Sequence, residues 1–191
     1  VLGEKFCLVS PFCRYGSLED FFQVGMDVSK IQVLPEKLIL RIVRDAAAGI
    51  LHLHMEHVIH RDIALRNVLV GDQYHVYVTD FGMSRLKAED SNYGQTKSNL
   101  GPVKNMAPEA ITHKKYSEKS DAWSFGIMLW QIETRQHPYH ELDPMQVVVR
   151  IGAGTLHQLP IPDWTRKEVR DVMSQCWARD PNDRPNFNQI Y

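Results

Sequence analysis

The segment Ser120–Thr134 is strongly apolar round a 3.6-residue helix, broken by Asp121 near its start, Gln131 and Glu133 near its end and a few small polar residues. A helix of that kind is buried nearly all round, so the rest of the chain must fold as a body wrapped about it. Its uninterrupted run, Phe125 to Trp130, is far too short to span a bilayer. A carboxylate inside such a helix is costly unless it meets buried donors, which marks Asp121 as a residue with partners elsewhere.

The flanking sequence supplies that body. Pro35 opens a long helix in which Leu38, Ile42, Ala46, Ile50 and Leu53 make one apolar stripe. A shorter helix begins at Gly16-Ser17-Leu18 and runs through Phe21 and Phe22. Thr165 and Glu168 form a candidate capping box ahead of Val169, Val172, Met173, Cys176 and Trp177, and Pro181 forbids that helix from running far. Phe6–Ser10 reads as a strand ending in a connector. Asn67–Val70 and His75–Thr79 read as two short strands around a Gly71-Asp72 turn. Gly25–Val33 reads as a polar loop, and residues 83–105 as an exposed, mobile segment without a period. The 191 residues suffice for one domain or most of one. A net charge of −1 gives no electrostatic case for nucleic acid. Three cysteines without paired spacing point to a reducing, cytoplasmic compartment.

The chemistry concentrates in His60-Arg61-Asp62-Ile63-Ala64-Leu65-Arg66-Asn67, then Asp80-Phe81-Gly82, then Met106-Ala107-Pro108-Glu109. A carboxylate and an amide on one loop, Asp62 and Asn67, can accept a hydroxyl proton and hold a cation within a few ångströms. Asp80, just after a strand, adds the charged oxygen that a hard cation prefers. Singly, Asp62 reads equally as a turn-capping carboxylate and Asp80 as a turn residue before Gly82. Together, in this order and at this spacing, they point to phosphoryl transfer. His52, His54, His57 and His60 cluster, but no Glu or Cys completes a zinc set at a recognised spacing. Gly152-Ala153-Gly154 follows a helix and reads as a helix terminus rather than a phosphate loop.

These three motifs resemble the protein-kinase signature set, over nearly the whole chain. The resemblance implies a protein-kinase-like α+β fold: a mainly α-helical large lobe with short strands, the small lobe largely absent. Residues 1–15 would be the last small-lobe strand and hinge, and 16–191 the C-terminal lobe with its final helix truncated. It further implies ATP and Mg2+ as cofactors. Asp62 would orient and deprotonate the acceptor hydroxyl, with Arg66 and Asn67 beside it, and Asn67 and Asp80 would hold magnesium. Pro11 and Cys13 would meet the adenine edge, Leu69 would lie beneath the ring, and Ser17 would touch the ribose. Ser10 falls at the gatekeeper position. His60 and Phe81 match a regulatory column of apolar side chains, and Arg61 matches an arginine that pairs with a phosphorylated activation segment. Asp121 resembles the aspartate that anchors the catalytic loop's backbone, and Glu109 with Arg184 resembles a buried ion pair.

Ala64, Arg66, Pro102, Cys176-Trp177 and Arg184-Pro185-Asn186-Phe187 resemble tyrosine kinases, which implies a tyrosine-containing protein substrate. Asn105 departs from that pattern, standing where the family favours tryptophan, and should loosen the substrate platform. A serine/threonine or dual-specificity enzyme, or a pseudokinase scaffold, stays open at this point. Tyr93 is a candidate phosphorylation site, with Ser91, Thr96 and Ser98 competing. No glycine-rich phosphate loop, strand lysine or glutamate-bearing helix is present. The chain therefore reads as part of a longer one whose missing small lobe is its natural partner, and it should be inactive by itself. A receptor and a cytosolic parent are equally compatible, the cytoplasmic side being implied in both cases.

Overall fold

The computed structural model describes residues 7, 9–27, 34–86, 101–156 and 158–191, with backbone alone at 101 and 102. The fold is a helical body carrying two small two-stranded antiparallel sheets, as the kinase resemblance implied. Its axis is α4 (Glu118–Thr134), where every residue from Ser120 to Ile132 is buried. Ser117 starts the helix in a capping box: its hydroxyl accepts the Lys119 and Ser120 N–H groups, and Ser120 Oγ accepts the Ser117 N–H at 2.9 Å. The helix stops at Arg135, whose φ of 58° is left-handed.

The other helices pack on this axis. Helix α6 (Lys167–Cys176) lies against α4 so closely that a Cβ at Gly126 would sit 2.7 Å from Trp177 Nε1 and 2.8 Å from Cys176 Cβ. Glycine is what permits that approach. Helix α2 (Glu36–Met55) buries Ile42, Ala46, Ala47 and Ile50 in the same core and touches α7 (Phe187–Ile190). Helices α3 (Pro108–His113) and α5 (Pro144–Gly152) form a smaller cluster around Val103, Ile111 and Val147. Gly154, at φ +66°, follows the end of α5, in keeping with a helix terminus there. The short α1 (Leu18–Phe21) is closed by a capping box from Ser17 to Asp20.

Strands β1 (Val58–Ile59) and β4 (Arg85–Leu86) pair antiparallel, as do β2 (Val68–Val70) and β3 (Val76–Val78). The β2–β3 connection is longer than a Gly71-Asp72 turn: Gln73 and Tyr74 both take left-handed backbone, at φ 53° and 60°.

Three sequence expectations are corrected. Thr165 and Glu168 do not cap α6: Arg166 is its N-cap and makes no side-chain cap bond. The Thr165 N–H instead closes a turn on the Pro162 carbonyl at 3.1 Å, so the residue lies one position outside the helix and its hydroxyl cannot reach the first turn. Within residues 83–105, Arg85–Leu86 is strand, and a turn over Gly101–Asn105 buries Val103 and Asn105. Two-residue and five-residue elements are too short to show a period. Cys7, Val9 and Ser10 belong to no strand, since no neighbour pairs with them among the described residues, and Phe6 and Leu8 lie outside those residues.

Candidate active site

The loop that follows β1 is shaped by Asp121. Its Oδ2 accepts the His60 N–H at 2.9 Å and its Oδ1 the Arg61 N–H at 2.9 Å, while His54 Nε2 lies 3.0 Å from Oδ2. The partners demanded by a carboxylate in an apolar helix are thus two backbone donors and a histidine, and all of them are buried or nearly so. Arg61 takes a left-handed φ of 71°, which the bond to its N–H helps to hold. His60 Nδ1 accepts the Asp62 N–H at 3.3 Å, leaving Nε2 to donate to the Thr79 carbonyl at 2.9 Å. The imidazole therefore bridges the loop to the residue before Asp80, and the Phe81 ring lies 5.6 Å from it.

Asp62 is oriented from both sides. Arg66 Nη2 donates to its Oδ1 at 2.6 Å, and Asn67 Nδ2 donates to its Oδ2 at 2.9 Å and to its backbone carbonyl at 2.8 Å. Each carboxylate oxygen keeps a further lone pair, so the group can still accept a proton from a hydroxyl placed against it. Asn67 ends a single turn, Leu65–Asn67, whose Leu65 is buried beneath the loop. Its carbonyl accepts both the N–H and the hydroxyl of Thr79, at 2.8 and 3.1 Å. The β2–β3 register, Val68 opposite Val78, thereby sets Asp80 one residue beyond the partner of Asn67.

Asp80 is exposed and left-handed, at φ 62°, and among the described residues its Oδ1 accepts only the Gly82 N–H, at 3.3 Å. Asn67 has committed its Nδ2 to Asp62, which leaves its Oδ1 as a spare acceptor. A neutral amide oxygen and an under-coordinated carboxylate on adjacent strand ends fit a hard cation of the magnesium type.

Of the residues expected at a nucleotide, Ser17 and Leu69 meet directly across an isolated antiparallel bridge. Tyr15 N–H donates to the Val70 carbonyl at 3.1 Å, Val70 N–H to the Gly16 carbonyl at 2.9 Å, and Ser17 bridges Leu69. These bonds lay Tyr15–Ser17 along β2. Pro11 is exposed, and Cys13 and Leu69 are partly buried. The Cys13 carbonyl already accepts the Gly16 N–H at 3.1 Å, and the Ser17 hydroxyl donates to Asp20 at 2.7 Å. Both hydrogen-bonding groups thus have local work.

Glu109 and Arg184 form a bidentate pair at 2.6 and 2.9 Å, with the guanidinium also donating to the Ala178 and Lys119 carbonyls. Asn105 is buried, and its turn is fastened to α4 by the Ser124 hydroxyl donating to the Asn105 carbonyl at 2.8 Å. The Arg61 guanidinium lies 4.9 Å from the Tyr116 ring centre, and burial pushes the Tyr116 hydroxyl up while that arginine draws it down. Tyr93, Ser91, Thr96 and Ser98 lie outside the described residues.

Sequence reasoning passed over two residues that shape the site. His54 stood in the histidine cluster, yet the spacing of Ile42, Ala46 and Ile50 continues to position 54 and could have placed it on the buried face. Thr79 carried no signal beyond its place before Asp80.

The whole chain, residues 1–191, matches a family described as protein tyrosine and serine/threonine kinase. It is 35% identical over 188 residues to serine/threonine-protein kinase STY17 of Arabidopsis thaliana, covering 98% of this chain and 31% of that protein. It is 35% identical over 187 residues to tyrosine-protein kinase Abl of Drosophila melanogaster, covering 97% of this chain and 11% of that protein. It is also 34% identical over 199 residues to the BDNF/NT-3 growth factors receptor of Gallus gallus, covering 100% of this chain and 24% of that protein. The chain thus spans less than a third of the length of these relatives.

Proposed function

Because the chain belongs to the protein tyrosine and serine/threonine kinase family, we propose that it carries the catalytic loop of an enzyme that phosphorylates tyrosine in proteins. The observation that carries this reading is the clasp on Asp62. Arg66 and Asn67 hold its two carboxylate oxygens at 2.6 and 2.9 Å, and Asp80 follows β3, the strand paired with the one that follows Asn67. In this reading Asp62 orients the acceptor hydroxyl and takes up its proton, while Arg66 and the Asn67 amide keep the carboxylate aimed. Asn67 and Asp80 would hold magnesium, which supplies neutralisation of phosphate charge when bound. Pro11, Cys13, Ser17 and Leu69 would line the adenosine end of an ATP site. Its glycine-rich loop and strand lysine we place in a lobe of the same protein outside these 191 residues. The compartment we propose is cytoplasmic, on the strength of three free cysteines.

Tyrosine as acceptor is supported by Ala64, a small buried residue two positions after Asp62, and by Arg66, which reaches the base from four positions on. The serine/threonine reading has its own support in Asn105 and in the similarity to STY17. Phosphoamino-acid analysis of protein substrates treated with the full-length enzyme and labelled ATP separates the two. Phosphotyrosine is expected, and label confined to phosphoserine and phosphothreonine would overturn the tyrosine reading.

A further inference from the structure

The turn between β2 and β3 contains two consecutive left-handed residues that are not glycine, Gln73 at φ 53° and Tyr74 at φ 60°. A side chain with a Cβ resists that backbone, so a neighbouring pair of such residues needs contacts that fix it. Two are local: the Tyr74 N–H donates to the Gly71 carbonyl at 3.2 Å, and the His75 N–H to the Asp72 carbonyl at 3.1 Å. The others come from outside the turn. Arg41 Nη2, on α2, donates to the Gln73 carbonyl at 2.9 Å. The Tyr74 ring stacks on Tyr15, with centroids 5.1 Å apart and planes 18° from parallel. Phe21, on α1, meets both rings nearly edge-on, at 5.9 Å from each.

The stack fastens the turn to the segment that leads into Ser17. Tyr15 and Gly16 bond Val70 through the backbone, at 3.1 and 2.9 Å, and Ser17 then lies opposite Leu69. Arg14 Nε lies 2.8 Å from Asp72 Oδ1, but both side chains are exposed, so water screens the pair and it holds little. The rings are the stronger fastening, because stacked and edge-to-face aromatic pairs attract beyond the area they bury. Val9 and Phe12, earlier on the same segment, are exposed, which leaves Tyr15 to anchor it.

We propose that Tyr74 is a positioning residue for the nucleotide: its ring, presented by the left-handed turn, holds Tyr15 and thereby the placement of Cys13–Ser17 against Leu69. This rests on the reading of Pro11, Cys13, Ser17 and Leu69 as the adenosine end of an ATP site. Freed from Tyr74, the Tyr15 segment would shift the Cys13 backbone relative to Leu69, and a ligand held between them would bind less tightly. The clasp on Asp62 is built from Arg66 and Asn67, and neither takes part in these ring contacts. Chemistry on bound ATP should therefore survive the loss of the ring.

The test uses the full-length protein. Tyr74→Gly removes the ring and suits the left-handed backbone, whereas Tyr74→Phe keeps the ring and removes only the hydroxyl. Tyr15→Leu breaks the stack from the other side with the turn's sequence intact, so it carries the test if the glycine variant does not fold. ATP affinity is measured by titration calorimetry, and phosphate transfer at saturating ATP alongside. Tyr74→Gly and Tyr15→Leu should each weaken ATP binding about 3-fold to 10-fold, the scale of an aromatic pair, and the double variant should be little weaker than either. Tyr74→Phe should bind ATP as the wild type does. Turnover at saturating ATP should match the wild type throughout, the pattern of lost binding rather than lost chemistry. Hydrogen exchange at the Tyr15 and Val70 amides should quicken in Tyr74→Gly and not in Tyr74→Phe. Unchanged ATP affinity on breaking the stack, losses that add in the double variant, or a Tyr74→Phe as weak as Tyr74→Gly overturns the positioning role. Wild-type protein that binds ATP with no regard to Tyr74 leaves the nucleotide reading standing, and wild-type protein that binds no ATP sinks both.

Discussion

Replacing Asp121 with asparagine should loosen the catalytic loop more than it loosens the helix that carries the residue. The carboxylate accepts the His60 and Arg61 N–H groups, each at 2.9 Å, and meets His54 Nε2 at 3.0 Å. An asparagine has one acceptor oxygen, so it can keep one of the two backbone bonds while its NH2 group faces the other donor. The lost charge-assisted bond is worth about 1.5–3 kcal/mol, and leaving a buried donor unsatisfied adds to it. The left-handed Arg61, at φ 71°, stores about 1–2 kcal/mol that the loop can release by moving. These terms place the destabilisation of Asp121→Asn at about 2–4 kcal/mol. Amide hydrogen exchange at His60 and Arg61 should accelerate by roughly 30-fold to several-hundred-fold. Urea denaturation reads the first quantity and hydrogen-exchange mass spectrometry the second. Exchange in the interior of α4 around Gly126 should change only as far as global stability does. A loss below about 0.5 kcal/mol with unchanged exchange at both amides would refute the anchoring role.

Removing Arg184 as Arg184→Met strands the Glu109 carboxylate, whose side chain is 14% exposed. Guanidinium denaturation should show a loss of about 3–5 kcal/mol, and adding Glu109→Leu should recover most of it. Burial pushes the Cys176 thiol up to about 12, while Cys7 is exposed and Cys13 partly so. Maleimide at mildly alkaline pH should therefore label Cys7 and Cys13 in the folded protein and all three after unfolding, as intact mass would show. The same burial raises Cys176 from its ordinary 9.0, and Tyr139 from its ordinary 10.0, to about 12 in the fold. The unfolded chain loses those protons first, so the contribution is fully present below about pH 9 and is lost as pH rises towards 12. Melting temperatures should fall across that window, and a flat profile would contradict it.

Much of this architecture could be read from residues because the relevant signals are local. The strongly apolar helix after Ser117, the stripe from Leu38 to Ile50 and the Asp62–Asn67 loop each carry their pattern within a few turns of chain. The capping box at Thr165 failed for a local reason too, since a turn on Pro162 competes for that residue and shifts the helix start. What stayed hidden depends on distant partners. The β1–β4 pair has two residues per strand, too few for alternation to show. His54 looked like one histidine among four until Asp121 was placed against it. Asn105 read as the loss of a ring, whereas its pairing with Gln131 and its hold on Ser124 exist only once the Gly101–Asn105 turn lies on α4.

The reading stands or falls on Asp62. Magnesium-dependent transfer of phosphate from ATP to a protein substrate should be measured for the full-length enzyme and for Asp62→Asn, with ATP affinity determined for both. The variant should bind ATP as the wild type does while turnover drops by about 100-fold to 10,000-fold, the range attributed to a general base. Equal turnover in the two proteins would contradict the assignment of Asp62 as the base.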